Sequence, residues 1–376
     1  MYSHSDTKKP NIFIIILILF LSIGFIFFKI NNYNNKNIQN NSEFLIYEGK
    51  ILDIINEEKA QNDNGEIIYT QDLNVEIKYN DQLIVKRVFN DFIPLEKNDK
   101  IFLQEFTYND EQNFTLINTY KTNGIIYLTI IFSLLLILIT GYKGIYSLIG
   151  LIFSLAIIIG FIIPSIYNGM NPILISLIGA IVILMGVIYI SEGLSKKSIS
   201  AFLGIIITLI FVSITANYVI HHLNFSGINS EETMYLSLES DQKINLIGLI
   251  IGGIIIAAIG ILDDIAITQA SIVHSLALKN PSIKSMDLFK EAMIIGKDHI
   301  SAVINTLVLA YTGAELSLFL LFSIRSFSVS YILSMDVMAE EIVRTLISTA
   351  GLILVAPITT LVMILFIKEN NNKYNI

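Results

Sequence analysis

The stretch that decides the fold is "LIGLIIGGIIIAAIGILDDIAITQASIVHS", Leu246–Ser275, in which the only charged residues are Asp263 and Asp264. A helix needs about 20 mainly apolar residues to cross a hydrocarbon core of about 30 Å. This stretch therefore predicts a transmembrane helix. It also raises a question about the two aspartates, because an ionised carboxylate inside a bilayer costs at least about 2.5 kcal/mol.

The composition of the whole chain indicates a membrane protein. Of its 376 residues, 53% are hydrophobic and 15% are charged, whereas about 25% of the residues of an ordinary soluble domain are charged. The apolar runs are continuous rather than alternating, which favours an α-helical bundle over a transmembrane barrel. The chain has no cysteine, which excludes disulfides, thiolate metal sites and thiol catalysis.

The apolar runs predict about 8 transmembrane helices. The first run, residues 11–30, follows Lys8 and Lys9 and lacks a small-residue cleavage site, so we interpret it as an uncleaved anchor rather than a signal peptide. The other seven runs are approximately Gly124–Thr140, Gly144–Ile166, Pro172–Ile190, Ile199–His221, Ile244–Ser275, His299–Phe322 and Ile342–Phe366. We accordingly divide the chain into an N-terminal tail and anchor (1–30), a polar domain (31–123), a seven-helix membrane domain (124–367) and a C-terminal tail (368–376).

The distribution of basic residues predicts the orientation in the membrane. If the N-terminus is cytoplasmic and the spans alternate, 11 lysines fall inside, against three basic residues near the short outer loops, Lys243, Arg325 and Arg344. This bias follows the positive-inside rule. It predicts that both termini are cytoplasmic and that residues 31–123 are extracytoplasmic.

The polar domain reads as five short β-strands. Its segments "EFLIYEGKILDII", "GEIIYTQDLNVEIKY", "DQLIVKRVF", "DKIFLQEF" and "NFTLINTY" are rich in β-branched and aromatic residues and are separated by turn-forming residues. Five strands in such a short segment predict a small extracytoplasmic β-barrel-like (OB-like) domain, with a plain β-sandwich as the alternative. The segment is not basic, so we expect no nucleic-acid partner.

Helical spacing assigns the two aspartates to different faces of their helix. Asp264 continues a stripe of small and polar residues at steps of three and four: Gly253, Ala257, Gly260, Thr268, Ser271 and Ser275. We therefore expect Asp264 to face a neighbouring helix, with Asp263 turned about 100° away. The depth of the pair stays open between the middle of the membrane and its cytoplasmic edge, where both carboxylates would simply be solvated.

The next spans supply polar residues that could act together with these carboxylates. Asp298 and Asn305 share a face of the penultimate span, and Arg344 is a natural counter-charge for Glu340 or Glu341 at helical spacing. The candidate residues of an ion or proton relay are therefore Asp263, Asp264, Thr268, Asp298, Asn305, Glu341 and Arg344. In the alternative interpretation these polar residues only hold helices together, and the last pair only anchors the helix end.

These segments resemble the YibE/F-like family of multispanning bacterial membrane proteins. The likeness is strongest in "GILDDIAITQASIVHSL", "IGKDHISAVINTLVLAYTGAEL" and "AEEIVRTLISTAGLILVAPITTLV". In the polar domain "LEKNDKIFL" is similar to the family's outer domain, which usually has glycine where this chain has Asn98. The resemblance implies a multi-pass protein of permease type in the bacterial cell membrane. A weaker likeness is to resistance-nodulation-division and Sec-associated proton-driven proteins, by analogy of fold only.

Two functions follow as hypotheses. The first is an ion-coupled or proton-coupled transporter of unknown substrate, in which intramembrane carboxylates load and release the ion. The second is a non-catalytic scaffold or partner subunit of a membrane complex. An intramembrane aspartyl hydrolase fits poorly, because adjacent Asp263 and Asp264 diverge on one helix and Asp298 would have to complete the dyad. We expect no enzyme activity, cofactor or metal; the expected partners are the lipid bilayer and a homo-oligomer or second membrane subunit.

Overall fold

The computed structural model describes residues 45–61, 67–79, 82–91, 93–108, 111–239, 244–325 and 327–373. The expected anchor at residues 11–30 lies outside the described residues. The chain forms two compact units that meet in sequence between Gly141 and Tyr142, and each unit is described by itself.

The first unit contains a five-stranded antiparallel sheet with the strand order β3-β2-β1-β4-β5. The strands are β1 (Ile46–Gln61), β2 (Ile67–Tyr79), β3 (Gln82–Asn90), β4 (Lys100–Tyr108) and β5 (Glu111–Thr119). The sheet curls until its edge strands approach each other: Lys86 Nζ on β3 lies 3.5 Å from the carbonyl of Gln112 on β5. The prediction of five strands in a small sheet domain is confirmed.

The curled sheet encloses its own apolar core. Alternate residues of the strands point into it, and among the fully buried ones are Ile51, Leu73, Val75, Ile77, Ile101 and Leu103. Gly49 is required where β1 crosses this core, because a Cβ atom there would lie 2.6 Å from Val75 and 2.9 Å from Leu103. The strands therefore share one apolar core of their own within this unit.

The turn before β4 keeps the conformation that glycine would adopt, although the residue is Asn98. Asn98 has φ 76°, in the left-handed region that asparagine tolerates better than most residues. Its backbone N–H donates to the Ile51 carbonyl at 2.9 Å, and Asp99 Oδ2 accepts from the Glu96 N–H at 2.8 Å. Asparagine at this position therefore still forms a tight turn.

A helix, α1 (Thr122–Thr140), follows the sheet within the first unit, and none of its residues is buried. The helices of the second unit are α2 (Tyr142–Tyr167, with a π turn at Ile158–Ile162), α3 (Pro172–Glu192), α4 (Lys196–His222), α5 (Glu231–Glu239), α6 (Leu246–Lys279), α7 (Ser285–Ala314), α8 (Leu316–Arg325), α9 (Val329–Ser334) and α10 (Asp336–Lys373). Helix α6 is central and packs against α3, α4, α7 and α10.

Seven helices in the described part of the chain are long and apolar enough to cross a membrane: α1, α2, α3, α4, α6, α7 and α10. They coincide with the seven apolar runs, which confirms a multi-pass helical membrane protein. The bounds differ most for α7, which begins at Ser285 rather than near His299 and ends at Ala314. The predicted apolar run extends to Phe322, but the helix ends before Glu315 and the separate helix α8 begins after it.

Helices α3 and α6 run side by side and in the same direction from their capped starts. The side chain of Asn171 caps α3 and that of Asn245 caps α6. A Cβ on Gly248 would lie 3.1 Å from Pro172 Cδ, and one on Gly252 would lie 2.5 Å from Ser176 Oγ. In both pairs the residue numbers differ by the same amount. Each residue of α6 can therefore be matched to the residue of α3 that lies at the same depth along the helix axes. We call this end of the second unit the Asn245 end.

Candidate functional site

Asp263 lies within the span, where α6 packs against α3. The constant offset between the two helices places it at the depth of Val187, five residues before Glu192 at the end of α3, which is roughly 7.5 Å along the axis. Its Oδ1 atom is buried and has no hydrogen-bond partner among the described residues. The carboxylates of Asp264 and Glu192 act on it as like charges.

Asp264 points the other way. Its side chain is 74% exposed, and its Oδ2 lies 3.9 Å from Nε2 of His299 on α7. The expectation that Asp264 faces a neighbouring helix is met only by this approach to His299, and the expectation that it is shielded from the surroundings is wrong, because most of its side chain is exposed. The reason is that the four neighbouring helices bury the aliphatic faces of α6, whereas none of the residues of the small-residue stripe is buried and Gly260 and Ser275 are exposed.

The other polar candidates of α6 and α7 do not meet Asp263. Asp298 and Asn305 are exposed on α7, and the described residues give neither side chain a hydrogen bond or ion pair. Thr268 lines a depression of about 300 Å³ between α6 and α7, together with Ser271 and Lys279. The structure therefore does not gather the predicted relay residues at one point.

A larger cavity, of about 450 Å³, opens at the Asn245 end, between α2, α3, α6 and α10. One side is aliphatic and includes Ile158 and Ile162 of the π turn. The opposite side carries charged residues from the ends of α7 and α10. Such π turns recur at functional sites, and the combination of apolar walls with a few convergent polar groups is typical of ligand sites.

The charged wall consists of Glu315, Glu340, Glu341 and Arg344. Nη2 of Arg344 lies 2.5 Å from Glu340 Oε1, and its Nε lies 3.4 Å from Glu341 Oε2. Asn229 donates a hydrogen bond to the second oxygen of Glu340. The predicted pairing of Arg344 with Glu340 or Glu341 is confirmed, and the guanidinium in fact lies near both. Since three carboxylates and one guanidinium line this wall, it is negative overall when all four groups are ionised.

The cavity and Asp263 belong to one helix interface but are separate sites. Gly252 lines the cavity, and Asp263 lies eleven residues further along α6, roughly 16 Å deeper. Glu341 and Arg344 therefore do not act directly on either aspartate. What connects the two places is the contact surface between α3 and α6.

Sequence reasoning missed several polar residues inside the unit. Gln269 is only 2% exposed, and its amide donates to Thr360 Oγ1 on α10 at 2.8 Å and to the Ala292 carbonyl on α7 at 3.2 Å. Gly296 leaves room for that amide, because a Cβ there would lie 2.6 Å from Gln269 Oε1. An uncharged amide inside an apolar run was the available signal, because such groups seek partners in lipid.

Comparison with known proteins gives one result of use. A family model described as YibE/F-like protein matches residues 128–369. This agrees with the resemblance in the sequence, and nothing found supports the weaker likeness to resistance-nodulation-division and Sec-associated proteins. Searches among the curated proteins and the solved structures gave no match.

Proposed function

This chain belongs to the YibE/F-like family, and from that premise we propose that it is a proton-coupled membrane transporter. One observation carries the proposal: Asp263 is a partly buried carboxylate on a membrane-spanning helix, and its buried Oδ1 has no hydrogen-bond partner among the described residues. Such groups in transmembrane helices are costly and usually mark ion pathways.

In this proposal Asp263 is the proton carrier. A carboxyl group at the α3–α6 contact changes between a charged and a neutral state by binding one proton, and no donor in the described part of the chain forms a hydrogen bond that would compensate the charge on Oδ1. Each protonation therefore changes the free energy of keeping α3 and α6 packed at this depth. Asp264 and His299, 3.9 Å apart and nearer the surface, form the route by which protons reach the carrier.

The arrangement in the membrane is part of the proposal. The lysines favour cytoplasmic termini in a bacterial cell membrane, with residues 31–123 outside as an OB-like domain. The Asn245 end, with its cavity, then faces outward, and Asp263 lies closer to the cytoplasmic side. Substrate would enter the cavity, and the proton carrier would lie between the cavity and the cytoplasm.

A scaffold function is the second candidate, and the exposure of α7 favours it. From Ser301 to Ala314 none of its residues is buried, and the helix carries Asn305 and Thr306, which can hydrogen-bond to another helix. A partner subunit or a second copy of the chain could cover this face. In that case Asp263 would have no essential part in function.

Complementation of a deletion strain separates the two candidates. Asp263→Asn keeps the size of the side chain and removes its proton binding, so we expect normal expression and loss of function. Asp264→Asn should reduce function less, and Glu291→Gln, an exposed position on α7, is the matched control. Full complementation by Asp263→Asn at wild-type expression would exclude it as the carrier and favour the scaffold.

A further inference from the structure

We propose that the cavity at the Asn245 end binds an organic ammonium compound, that is, a protonated amine attached to an apolar body. This inference rests on the proposed function, because it names the substrate class of that transporter. It draws on three properties of the cavity: the charge of one wall, an unpaired hydroxyl and the aliphatic character of the other wall.

The charge of the wall selects a cation. The single positive charge of Arg344 is paired with two carboxylates, Glu340 and Glu341, so the wall keeps a net negative charge. Glu315 also lines the cavity and makes no ion pair with any described residue. Its charge acts on Glu341, so a cation placed between these two carboxylates would relieve their repulsion.

Ser176 supplies the second observation. It borders the cavity and is completely buried, and its Oγ has no hydrogen-bond partner among the described residues. Gly252 lies directly opposite and offers no side-chain partner, because even a Cβ there would lie 2.5 Å from Ser176 Oγ. An unpaired buried hydroxyl is costly, and the N–H of a bound ammonium group could donate to it. A metal ion fits less well, because the described residues contain no cluster of His, Asp or Glu that could hold one.

The aliphatic wall of the cavity determines which uncharged body the ligand can carry. It is formed by aliphatic side chains, among them Ile158, Ile162, Leu249 and Ile256. Burying apolar surface there contributes roughly 25 cal/mol per Å², so an amine with a compact hydrocarbon body binds better than a small polar amine. The cavity volume of about 450 Å³ limits that body to the size of a small cage or ring system.

Three ligands of the same shape test the inference in the full chain, reconstituted in nanodiscs. They are 1-adamantylammonium, 1-adamantanol and adamantane-1-carboxylate, and calorimetry measures their binding. We expect the ammonium to bind at least about tenfold more tightly than the neutral and anionic analogues. Equal binding of all three, or tighter binding of the carboxylate, would overturn the inference.

Variants then locate the binding site. Glu315→Gln removes a charge without leaving a partner unpaired, so we expect adamantylammonium binding to weaken about tenfold, while Glu291→Gln, on α7 and outside the cavity, leaves it unchanged. Ser176→Ala should weaken binding of adamantylammonium more than that of its trimethylated form, which has no N–H to donate. Unchanged binding in Glu315→Gln would show that the amine binds elsewhere and contradict the proposal.

A last comparison separates this inference from the proposed function. Asp263→Asn lies outside the cavity, so it should bind adamantylammonium with wild-type affinity while failing to complement. If that variant complements fully but still binds, proton coupling by Asp263 is wrong and the ammonium site stands. If wild type binds no ammonium and Asp263→Asn still fails to complement, the ammonium site is wrong and the carrier role stands.

Discussion

The side-chain amide of Gln269 donates a 2.8 Å hydrogen bond to the hydroxyl of Thr360, and it also reaches the carbonyl of Ala292 at 3.2 Å. One buried side chain thus ties α6 to α10 and to α7. Along α6, Asp263 lies between these bonds and the cavity. The bonds fix α6 against α7 and α10, whereas the proposed change at Asp263 acts on the contact between α6 and α3.

Loss of this amide should destabilise the helix unit moderately. Hydrogen bonds between transmembrane helices contribute on average about 0.6 kcal/mol and at most about 1.7, so Gln269→Leu should lower the thermal unfolding temperature in detergent by a few degrees. Thr360→Val should cost less, because Gln269 keeps its bond to Ala292. Size-exclusion chromatography after heating measures both, and a larger loss in Thr360→Val would contradict this order.

Gly296 gives a sharper test of the same packing. A methyl group there would lie 2.6 Å from Gln269 Oε1, so Gly296→Ala should destabilise the protein by about 1–3 kcal/mol through overpacking. The double variant Gly296→Ala/Gln269→Ala should recover part of that loss, because the shorter side chain vacates the space. Gly313→Ala, where nothing lies within 4 Å of the added carbon, should be neutral. Equal effects of the two glycine substitutions would reject the contact.

Membrane orientation can be tested with single cysteines, since the chain has none of its own. Glu48 on the sheet and Lys290 on α7 are both exposed, and the proposed topology places them on opposite sides of the membrane. Glu48→Cys should react with an impermeant maleimide in intact cells, and Lys290→Cys should react only after permeabilisation. The opposite labelling pattern would reverse the topology.

The sheet domain should fold alone and lose stability in alkali. We expect a soluble fragment of residues 43–120 to give dispersed amide NMR signals.

Burial, followed by the hydrogen bond to Glu105, raises the pKa of Tyr47 in the sheet domain. Above about pH 10 the unfolded chain ionises this tyrosine while the folded chain keeps it neutral, so folding stability falls as the pH rises. Tyr47→Phe should show a shallower fall between about pH 9 and about pH 11, measured by urea unfolding; an unchanged slope would contradict this assignment.

The membrane spans could be predicted from the sequence because lipid exposure demands continuous apolar runs, and these are visible without knowing which helix packs on which. Helix bounds were harder. Helix α7 begins at Ser285, upstream of the apolar run, because amphipathic residues extend the helix where hydropathy no longer marks it. It ends at Ala314 although apolar residues continue, and hydropathy alone does not report such a break.

The inward face of α6 could not be predicted because periodicity needs contrast between faces. Helix α6 is apolar nearly all round, so the position of Asp263 against α3 depends on the arrangement of four neighbouring helices. Pairings within one helix, such as Arg344 with Glu340, followed directly from spacing. The contacts between helices, such as Gln269 with Thr360, required the tertiary structure.

The π turn in α2 has a consequence for how the length of this chain can vary. A π turn holds one residue more than an α-helical turn over nearly the same rotation about the helix axis. Deleting one residue among Ile158–Ile162 would therefore turn the π turn into regular α-helix and leave Ile163 and Ile166 facing the cavity that they line. In a regular α-helical segment the same deletion would rotate all following residues by about 100°, so the π turn is a place where this membrane helix can lose a residue without reshaping the cavity wall.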